Sequence, residues 1–266
     1  MFSRRIASIT LALLLPVAAL AQSLNEDFFA AARKGDIAAV KAFLDKGVDV
    51  NAKTQYGATA LSYACDKGHT ELVKLLLERG ANPNVRDTFY NATPMSWAAP
   101  KGYTEIVKLL VEKGSTEKGD ALDVGVEKGS AELVKLVLDK GDVAAGTLTK
   151  ALTKAEAAKQ AEIVDLLKKA GAKPFHKVSD ETLKSYEGFY KNQQLGDFNF
   201  MVKEGKFSGK FNTQSWLTLG AIDQNTFTAI EFDGITLIFN AEAGKVTSVT
   251  LKQNGGVWEF KRAEPK

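Results

Sequence analysis

Cysteine and histidine are scarce in this chain of 266 residues. It has one cysteine, Cys65, and two histidines, His69 and His176. A lone cysteine cannot form a disulfide within the chain, so burial of side chains rather than bridging must hold the fold. We expect Cys65 to be a small buried packing residue. The spacing around the histidines matches no zinc motif, and we expect no metal site.

Catalytic signatures are also missing. The sequence contains no Gly-rich phosphate loop and no Gly-x-Ser-x-Gly nucleophile motif. Carboxylates are plentiful, but most lie at the ends of predicted helices, where water solvates them. We therefore expect no enzymatic activity and no cofactor.

Neither positive nor negative charge is in large excess. The chain has 35 basic and 32 acidic residues, and loss of residues 1–21 would leave 33 and 32 because that segment carries two arginines and no acid. Nucleic-acid-binding proteins concentrate positive charge to neutralise phosphates. A nearly neutral chain without a basic block therefore gives no support for nucleic acid as a partner.

Long apolar runs are absent except at the N-terminus. Arg4 and Arg5 precede an apolar run from Ile6 to Leu20, and Ala19-Leu20-Ala21 has the small-x-small pattern of a cleavage site. The run is shorter than the ~20 residues of a membrane anchor. We predict a signal peptide over residues 1–21, a mature chain that begins at Gln22 without a membrane span, and a periplasmic or secreted location.

One sequence motif, which we call the recurring phrase, occurs several times along the N-terminal half of the chain. Its four clear copies, each of the form Glu-apolar-Val followed by apolar residues and a Gly, occupy residues 71–81, 105–115, 132–142 and 162–172. A weaker copy occupies residues 37–48. The terminal glycines are 33 residues apart between Gly47 and Gly80 and 34 apart between Gly80 and Gly114, and later spacings shrink to 27 and 30. Self-similarity at this period predicts stacked helical repeats that present a long binding surface.

The repeats resemble the ankyrin family over about residues 24–174, in about five copies. The family's Thr-Pro-Leu-His tetrapeptide corresponds to residues 59–62, which read Thr-Ala-Leu-Ser, and to residues 93–96, which read Thr-Pro-Met-Ser. Both copies have Ser where the family has a His that links neighbouring repeats. The 27-residue spacing leaves no room for a full finger hairpin in the fourth and fifth repeats.

Residues 175–266 have a different character. They contain ten of the fifteen phenylalanines, with Trp216 and Trp258, and short alternating runs separated by turn residues such as Asp233-Gly234 and Asn254-Gly255. This pattern predicts seven or eight antiparallel strands in up-and-down order, introduced by a helix over Asp180 to Lys184. The expected fold class is α+β, an all-α ankyrin solenoid followed by an antiparallel β-barrel-like domain.

The C-terminal segment resembles a lipocalin-like domain of unassigned function found on exported bacterial proteins. The resemblance is carried by Tyr186-Glu187-Gly188-Phe189-Tyr190 and by residues 244–255. A barrel of about eight strands is either filled by side chains or wide enough for one small ligand. The ten phenylalanines favour filling, while carriage of a small apolar ligand and capping of the last repeat remain alternatives.

The ankyrin resemblance implies that the residue after each tetrapeptide faces the concave groove. Those residues are Tyr63 and Trp97, and the row continues with Val124. The finger between the second and third repeats carries Phe89 and Tyr90, two aromatics where the family usually has polar residues. Tyrosine and tryptophan dominate binding hot spots. The alternatives are that Trp97 belongs to the core and that Phe89 or Tyr90 packs against another part of the chain.

These observations predict an interaction module or scaffold that binds another exported protein. The predicted partner-binding residues are Tyr63, Phe89, Tyr90, Trp97 and Val124. Two other functions remain open: a carrier or sensor of a small apolar ligand in the β domain, and an accessory subunit or regulator of an exported enzyme.

Overall fold

A computed structural model describes residues 24–203, 205–231, 234–253 and 255–264. The predicted signal peptide, residues 1–21, lies outside the described residues. The chain divides into two compact units, the first ending at Lys128 and the second beginning at Gly129. The boundary predicted after residue 174 separates the repeat helices from the strands and the short helix that precedes them, whereas the second compact unit contains three repeat helices as well as the barrel.

The first unit is built of paired helices. In chain order these are α1 (residues 24–34), α2 (Ile37–Asp45), α3 (Ala60–Lys67), α4 (Thr70–Glu78), α5 (Pro94–Ala98), a 3-10 turn (Ala99–Lys101), α6 (Thr104–Glu112) and α7 (Lys118–Glu127). Helix α3 packs against α4 and α5, and α4 packs against α6. Successive helix pairs therefore stack in two layers, as expected for ankyrin repeats.

The recurring phrase forms the outer layer. In α4 the side chains of Leu72, Val73, Leu76 and Leu77 are buried, while Glu71 lies in the first turn, where a carboxylate favours the positive end of the helix dipole. Gly80 follows α4 with φ 86°, a left-handed conformation that terminates helices and that glycine adopts without strain. The same phrase therefore specifies the start, the buried face and the end of each outer helix.

Asparagines connect neighbouring repeats at the ends of these helices. Asn51 Nδ2 donates to the Gly80 carbonyl and Asn51 Oδ1 accepts from Asn82 N, at 3.2 and 2.8 Å. Asn84 repeats the pattern one unit later, donating to the Gly114 carbonyl. These bonds satisfy backbone groups that the helix ends leave without partners, and they tie the loop of one repeat to the next.

The second unit begins with helices and ends with a barrel. Its helices are α8 (Ala131–Asp139), α9 (Ala145–Ala157), α10 (Ala161–Lys169) and α11 (Asp180–Tyr186). Its strands are β1 (Gly188–Asn192), β2 (Gly196–Lys203), β3 (Lys206–Phe211), β4 (Leu217–Ala221), β5 (Thr226–Ala229), β6 (Thr236–Glu242), β7 (Lys245–Gln253) and β8 (Gly256–Ala263).

The eight strands form a closed antiparallel barrel in sequence order, which confirms the predicted fold class. Closure is made by β1 and β8, where Tyr190 pairs with Arg262. Between β2 and β3, Phe200 lies opposite Gly209, and a side chain on Gly209 would collide with the Phe200 ring. The glycine thus leaves room for an aromatic ring inside the barrel.

Aromatic rings fill most of the barrel interior. Phe200, Phe227, Phe239 and Phe260 are almost completely buried, as is Tyr190. Helix α11 closes one end: the Tyr186 ring stacks on Phe239 with centroids 4.5 Å apart. Ser179 caps the helix, because its side chain accepts a hydrogen bond from Thr182 N.

Candidate functional site

The first unit carries a pocket of about 410 Å³ on its surface. Five aromatic side chains, two carboxylates and two small residues line it: Tyr56, Tyr63, Phe89, Tyr90, Trp97, Asp66, Asp87, Ala58 and Ser62. We call this the aromatic pocket. Four of the five predicted partner-binding residues meet here, although they come from two helices and a finger loop.

Four of the rings form a continuous series. Ring centroids are 6.3 Å apart between Tyr56 and Phe89, 4.6 Å between Phe89 and Tyr90, and 5.7 Å between Tyr90 and Trp97. Each ring stands nearly perpendicular to the next, with angles of 78°, 80° and 82°. Edge-to-face contacts of this kind stabilise the rings against one another while leaving ring faces accessible.

The finger loop exposes the side chains of Phe89 and Tyr90 to solvent. Asp87 Oδ1 accepts hydrogen bonds from Phe89 N and Tyr90 N, at 3.0 and 2.6 Å, and Thr88 N donates to the Tyr56 carbonyl. Phe89 is nevertheless 69% exposed and Tyr90 68% exposed. The finger backbone is thus anchored, while its apolar rings gain little from burial within this unit.

Tyr63 and Trp97 form the helical side of the pocket. Each follows a capping box in which a threonine and a serine exchange hydrogen bonds, Thr59 with Ser62 and Thr93 with Ser96. The boxes fix the first turns of α3 and α5, and so the direction in which the next side chain leaves the helix. Both rings are half-buried and line the pocket.

Val124 does not belong to this surface. It is 3% exposed within α7, where Ala121, Leu122, Val124, Gly125 and Val126 are all buried. The expectation that Val124 continues the row of groove residues is therefore corrected.

Sequence reasoning missed Tyr56, Asp66 and Asp87 as pocket residues. A signal for Tyr56 existed, because it precedes Tyr90 by 34 residues, the spacing that also separates Thr59 from Thr93, and therefore occupies the equivalent finger position. Asp87 is 7% exposed and carries the finger's backbone hydrogen bonds. Its role depends on the folded shape of the finger, which the sequence does not display.

Asp66 is already engaged by two lysines. Its carboxylate lies 2.6 Å from Lys101 Nζ and 2.9 Å from Lys67 Nζ. The hydrogen bond from Lys101 lowers the pKa of Asp66 below its ordinary value. Among the described residues, no cluster of three or more His, Cys, Asp or Glu side chains could hold a metal ion.

Cys65 lies in the core behind the pocket. It is completely buried in α3, and this burial raises the pKa of its thiol far above the ordinary value. A buried protonated thiol is a poor nucleophile. The position behaves as a small apolar packing site, as the sequence predicted.

A second cavity, of about 260 Å³, lies at the barrel end opposite α11. Its walls are almost entirely apolar and include Phe198, Phe211, Leu217, Leu219, Ile235, Leu237, Leu251 and Trp258. Gln214 and Gln253 supply the polar groups. The phenylalanines thus fill the barrel from the α11 end and leave this space at the other. We call it the barrel cavity.

No helix within the described residues is both long and apolar enough to span a bilayer. Residues 28–120 match the family model for ankyrin repeats, in three copies. This range contains every residue of the aromatic pocket and ends before the barrel, whose assignment rests on strand topology.

Three curated relatives share the name ankyrin repeat, SAM and basic leucine zipper domain-containing protein 1. The one from Mus musculus is 48% identical over 58 residues, 22% of this chain and 12% of the relative. Those from Mustela putorius furo and Carollia perspicillata are 44% identical over 63 residues and 45% over 60, or 24% and 23% of this chain and 13% of each relative. The similarity thus spans about an eighth of the length of these relatives.

Proposed function

We propose that this chain is an exported protein whose ankyrin repeats dock a partner protein through the aromatic pocket. Ankyrin repeats mark residues 28–120 as a protein–protein interaction module. The observation that carries the choice of surface is the series of rings from Tyr56 through Phe89 and Tyr90 to Trp97. Exposed aromatic clusters on soluble proteins mark interaction sites.

The energetics favour this surface over the rest of the first unit. Covering a large apolar side chain is worth about 1.5–3 kcal/mol when burial is complete. Phe89, Tyr90 and Tyr56, which is 55% exposed, each retain more than half of that gain for a partner. Because the finger is already anchored through Asp87, little ordering entropy opposes binding.

Affinity capture with variants tests the docking surface. The Phe89→Ala/Tyr90→Ala double variant removes two exposed rings and should lose the captured partner while retaining its helical circular dichroism. Ile37→Ala, which trims an exposed apolar residue outside the pocket, is the matched control and should retain it. Equal capture by all three proteins would refute the proposal. If the partner is an enzyme, its activity with and without this chain tests a regulatory role.

Export is proposed from the arrangement of residues 1–21: two arginines, an apolar run and a small-x-small site. Expression in a Gram-negative host followed by N-terminal sequencing checks it. The protein recovered from the periplasm or medium should begin at Gln22. A chain found only in the cytoplasm with Met1 or Phe2 at its start would contradict export.

A second candidate function is carriage of a small apolar ligand by the C-terminal domain, which we propose to be lipocalin-like. The barrel cavity supports it, because apolar cavities exclude water and accept apolar guests. Its two glutamines could fix the orientation of one polar group on the ligand.

Fluorescence of N-phenyl-1-naphthylamine tests this second function. The full chain should give a saturable increase in emission. Leu217→Trp places a large ring in the cavity wall and should abolish it, whereas Ile230→Trp, at an exposed position outside the cavity, should not. No saturable signal, or an unchanged signal in Leu217→Trp, would reject ligand carriage.

A further inference from the structure

We propose that the aromatic pocket binds an arginine side chain presented by the partner protein, between the exposed rings and the Asp87 carboxylate. This inference rests on the proposed docking function and names the chemistry that the pocket recognises. It is carried by three features of the pocket: the arrangement of its rings, the sign of its charged groups, and an arginine already held by one of its tyrosines.

The rings provide a surface that attracts cations. The face of an aromatic ring carries partial negative charge, and tryptophan and tyrosine attract a cation within about 6 Å of the ring centroid. Successive rings in the series from Tyr56 to Trp97 meet nearly at right angles. Rings arranged in this way can direct more than one ring face toward the space between them.

Every charged residue that lines the pocket is acidic. These residues are Asp66 and Asp87. The Asp66 carboxylate is paired with Lys67 and Lys101, and neither lysine lines the pocket. Among the described residues, the hydrogen bonds that Asp87 accepts both end on Oδ1. Its Oδ2 is thus left as an acceptor in a side chain that is only 7% exposed. Because Asp87 lines the pocket, its carboxylate can accept a charge-assisted hydrogen bond from a donor bound there.

The chain itself already holds a guanidinium by this chemistry. Arg33 Cζ lies 4.2 Å from the centroid of the Tyr63 ring, and Arg33 Nη2 donates to Tyr63 Oη at 2.8 Å. Arg33 does not line the pocket. Its position shows that a pocket tyrosine binds arginine both through its ring and through its hydroxyl.

Arginine suits the pocket better than lysine does. A guanidinium is flat, stacks on aromatic rings, is weakly hydrated, and can direct several N–H donors at one carboxylate. The ammonium of lysine is compact and strongly hydrated, so it loses more on leaving water. A volume of about 410 Å³ accommodates the planar group together with part of its aliphatic stem.

Peptide titration of the full chain tests the inference. The probe is acetyl-Ala-Ala-Arg-Ala-Ala-amide, and the reporter is the indole N–H signal of Trp97 in a nitrogen-15-labelled sample, assigned with Trp97→Phe. The arginine peptide should shift this signal saturably. The same peptide with citrulline, a neutral group of the same shape, should bind about tenfold more weakly, since both the cation–π and the carboxylate interactions are lost.

Two variants separate cation recognition from simple apolar contact. Tyr90→Leu keeps an apolar side chain but removes a ring face at an exposed position, and Asp87→Asn keeps the Oδ1 acceptor but removes the charge. Both should weaken arginine-peptide binding several-fold, while Ile37→Ala should not. Equal binding of the citrulline peptide, full binding by both variants, or a shift with choline but not with the arginine peptide would overturn the inference.

Partner capture by the variants separates arginine recognition from docking. If the captured partner is lost in Phe89→Ala/Tyr90→Ala but bound normally by Asp87→Asn, and the arginine peptide does not bind, docking stands and arginine recognition is wrong. If the double variant also captures the partner, the docking proposal itself fails.

Discussion

Single residues explain how this chain keeps its repeats rigid without the usual histidine. Ser62 and Ser96 occupy the histidine positions and complete capping boxes with Thr59 and Thr93. Glu117, from the next repeat, accepts hydrogen bonds from the hydroxyls of Thr93 and Ser96. The Thr-x-x-Ser spacing predicts the boxes, but the sequence could not reveal Glu117, because it lies 21 residues beyond Ser96.

Glu117 should therefore matter for stability. It also accepts from Arg86, at 3.0 Å, and its side chain is 17% exposed. Hydrogen bonds to charged groups contribute about 1.5–3 kcal/mol, so Glu117→Ala should lower the free energy of unfolding by about 2 kcal/mol in urea titrations. Glu105→Ala, at a 63% exposed carboxylate, should change it by less than about 0.5 kcal/mol. Equal effects of the two variants would contradict this account of Glu117.

Cys65 should make stability depend on pH under alkaline conditions. Burial raises the pKa of the folded thiol, whereas the unfolded thiol titrates near about 8.5. The folded pKa is the higher one, so the unfolded chain alone loses this proton as pH rises. Stability is retained below pH 8.5 and should fall by about 1.4 kcal/mol per pH unit above it.

Urea midpoints measured between pH 7 and 10 for the wild type and Cys65→Ala check this slope. The window ends at pH 10 because burial also raises the pKa of Tyr190, to about 12, and tyrosine would add a slope of the same sign at higher pH. The variant should show the flatter dependence. Parallel curves for the two proteins would mean that Cys65 does not titrate on unfolding.

At the scale of elements, the sequence predicts which helices and strands form more accurately than it predicts where they begin and end. The helix predicted over Asp180 to Lys184 continues to Tyr186. Tyr186, at the end of this helix, is buried in the core of the barrel. The local sequence does not reveal that burial. Turn dipeptides and alternation determine that strands exist, while tertiary contacts determine where they stop.

Helix α11 should be essential to the barrel through Tyr186. This side chain is 6% exposed, its ring stacks on Phe239, and its hydroxyl donates to the Gln224 carbonyl at 3.0 Å. Loss of a buried aromatic ring costs about 3–5 kcal/mol, the range expected for Tyr186→Ala. Tyr186→Phe removes only one hydrogen bond and should cost about 1 kcal/mol.

Urea denaturation followed by tryptophan fluorescence compares the two Tyr186 variants. Trp258, which packs against the barrel core, is the relevant reporter. If Tyr186→Ala were no less stable than Tyr186→Phe, α11 would be an appended helix rather than the closure of the barrel.

For the whole molecule, the sequence predicts the two architectures but not how the chain divides into compact units. The period of about 33 residues and the ankyrin tetrapeptides specify the repeats, and alternating phenylalanines specify the barrel. Helices α8 to α10 nevertheless belong to the barrel's compact unit. One contact within that unit is Gly146 of α9 against Thr228 of β5, where a side chain on Gly146 would come within 3.0 Å of Thr228. Such close approach depends on three-dimensional packing.

The same limit applies to the aromatic pocket. The repeat spacing of 34 residues gives Tyr63 and Trp97 equivalent positions, and likewise Tyr56 and Tyr90, and both relations can be read from the sequence. The continuation of the row to Val124 was wrong, because that side chain is buried in α7. The role of Asp87 required the folded finger.

The dissociation constant of the captured partner is the decisive test of whether the aromatic pocket is the docking surface. It should be determined for the wild type, Tyr90→Ala and Ile37→Ala, all as full chains. Tyr90→Ala should weaken binding by about tenfold or more, as expected when a hot-spot aromatic is removed, and Ile37→Ala should leave it unchanged. Unaltered affinity in Tyr90→Ala would contradict the assignment of the aromatic pocket as the docking surface.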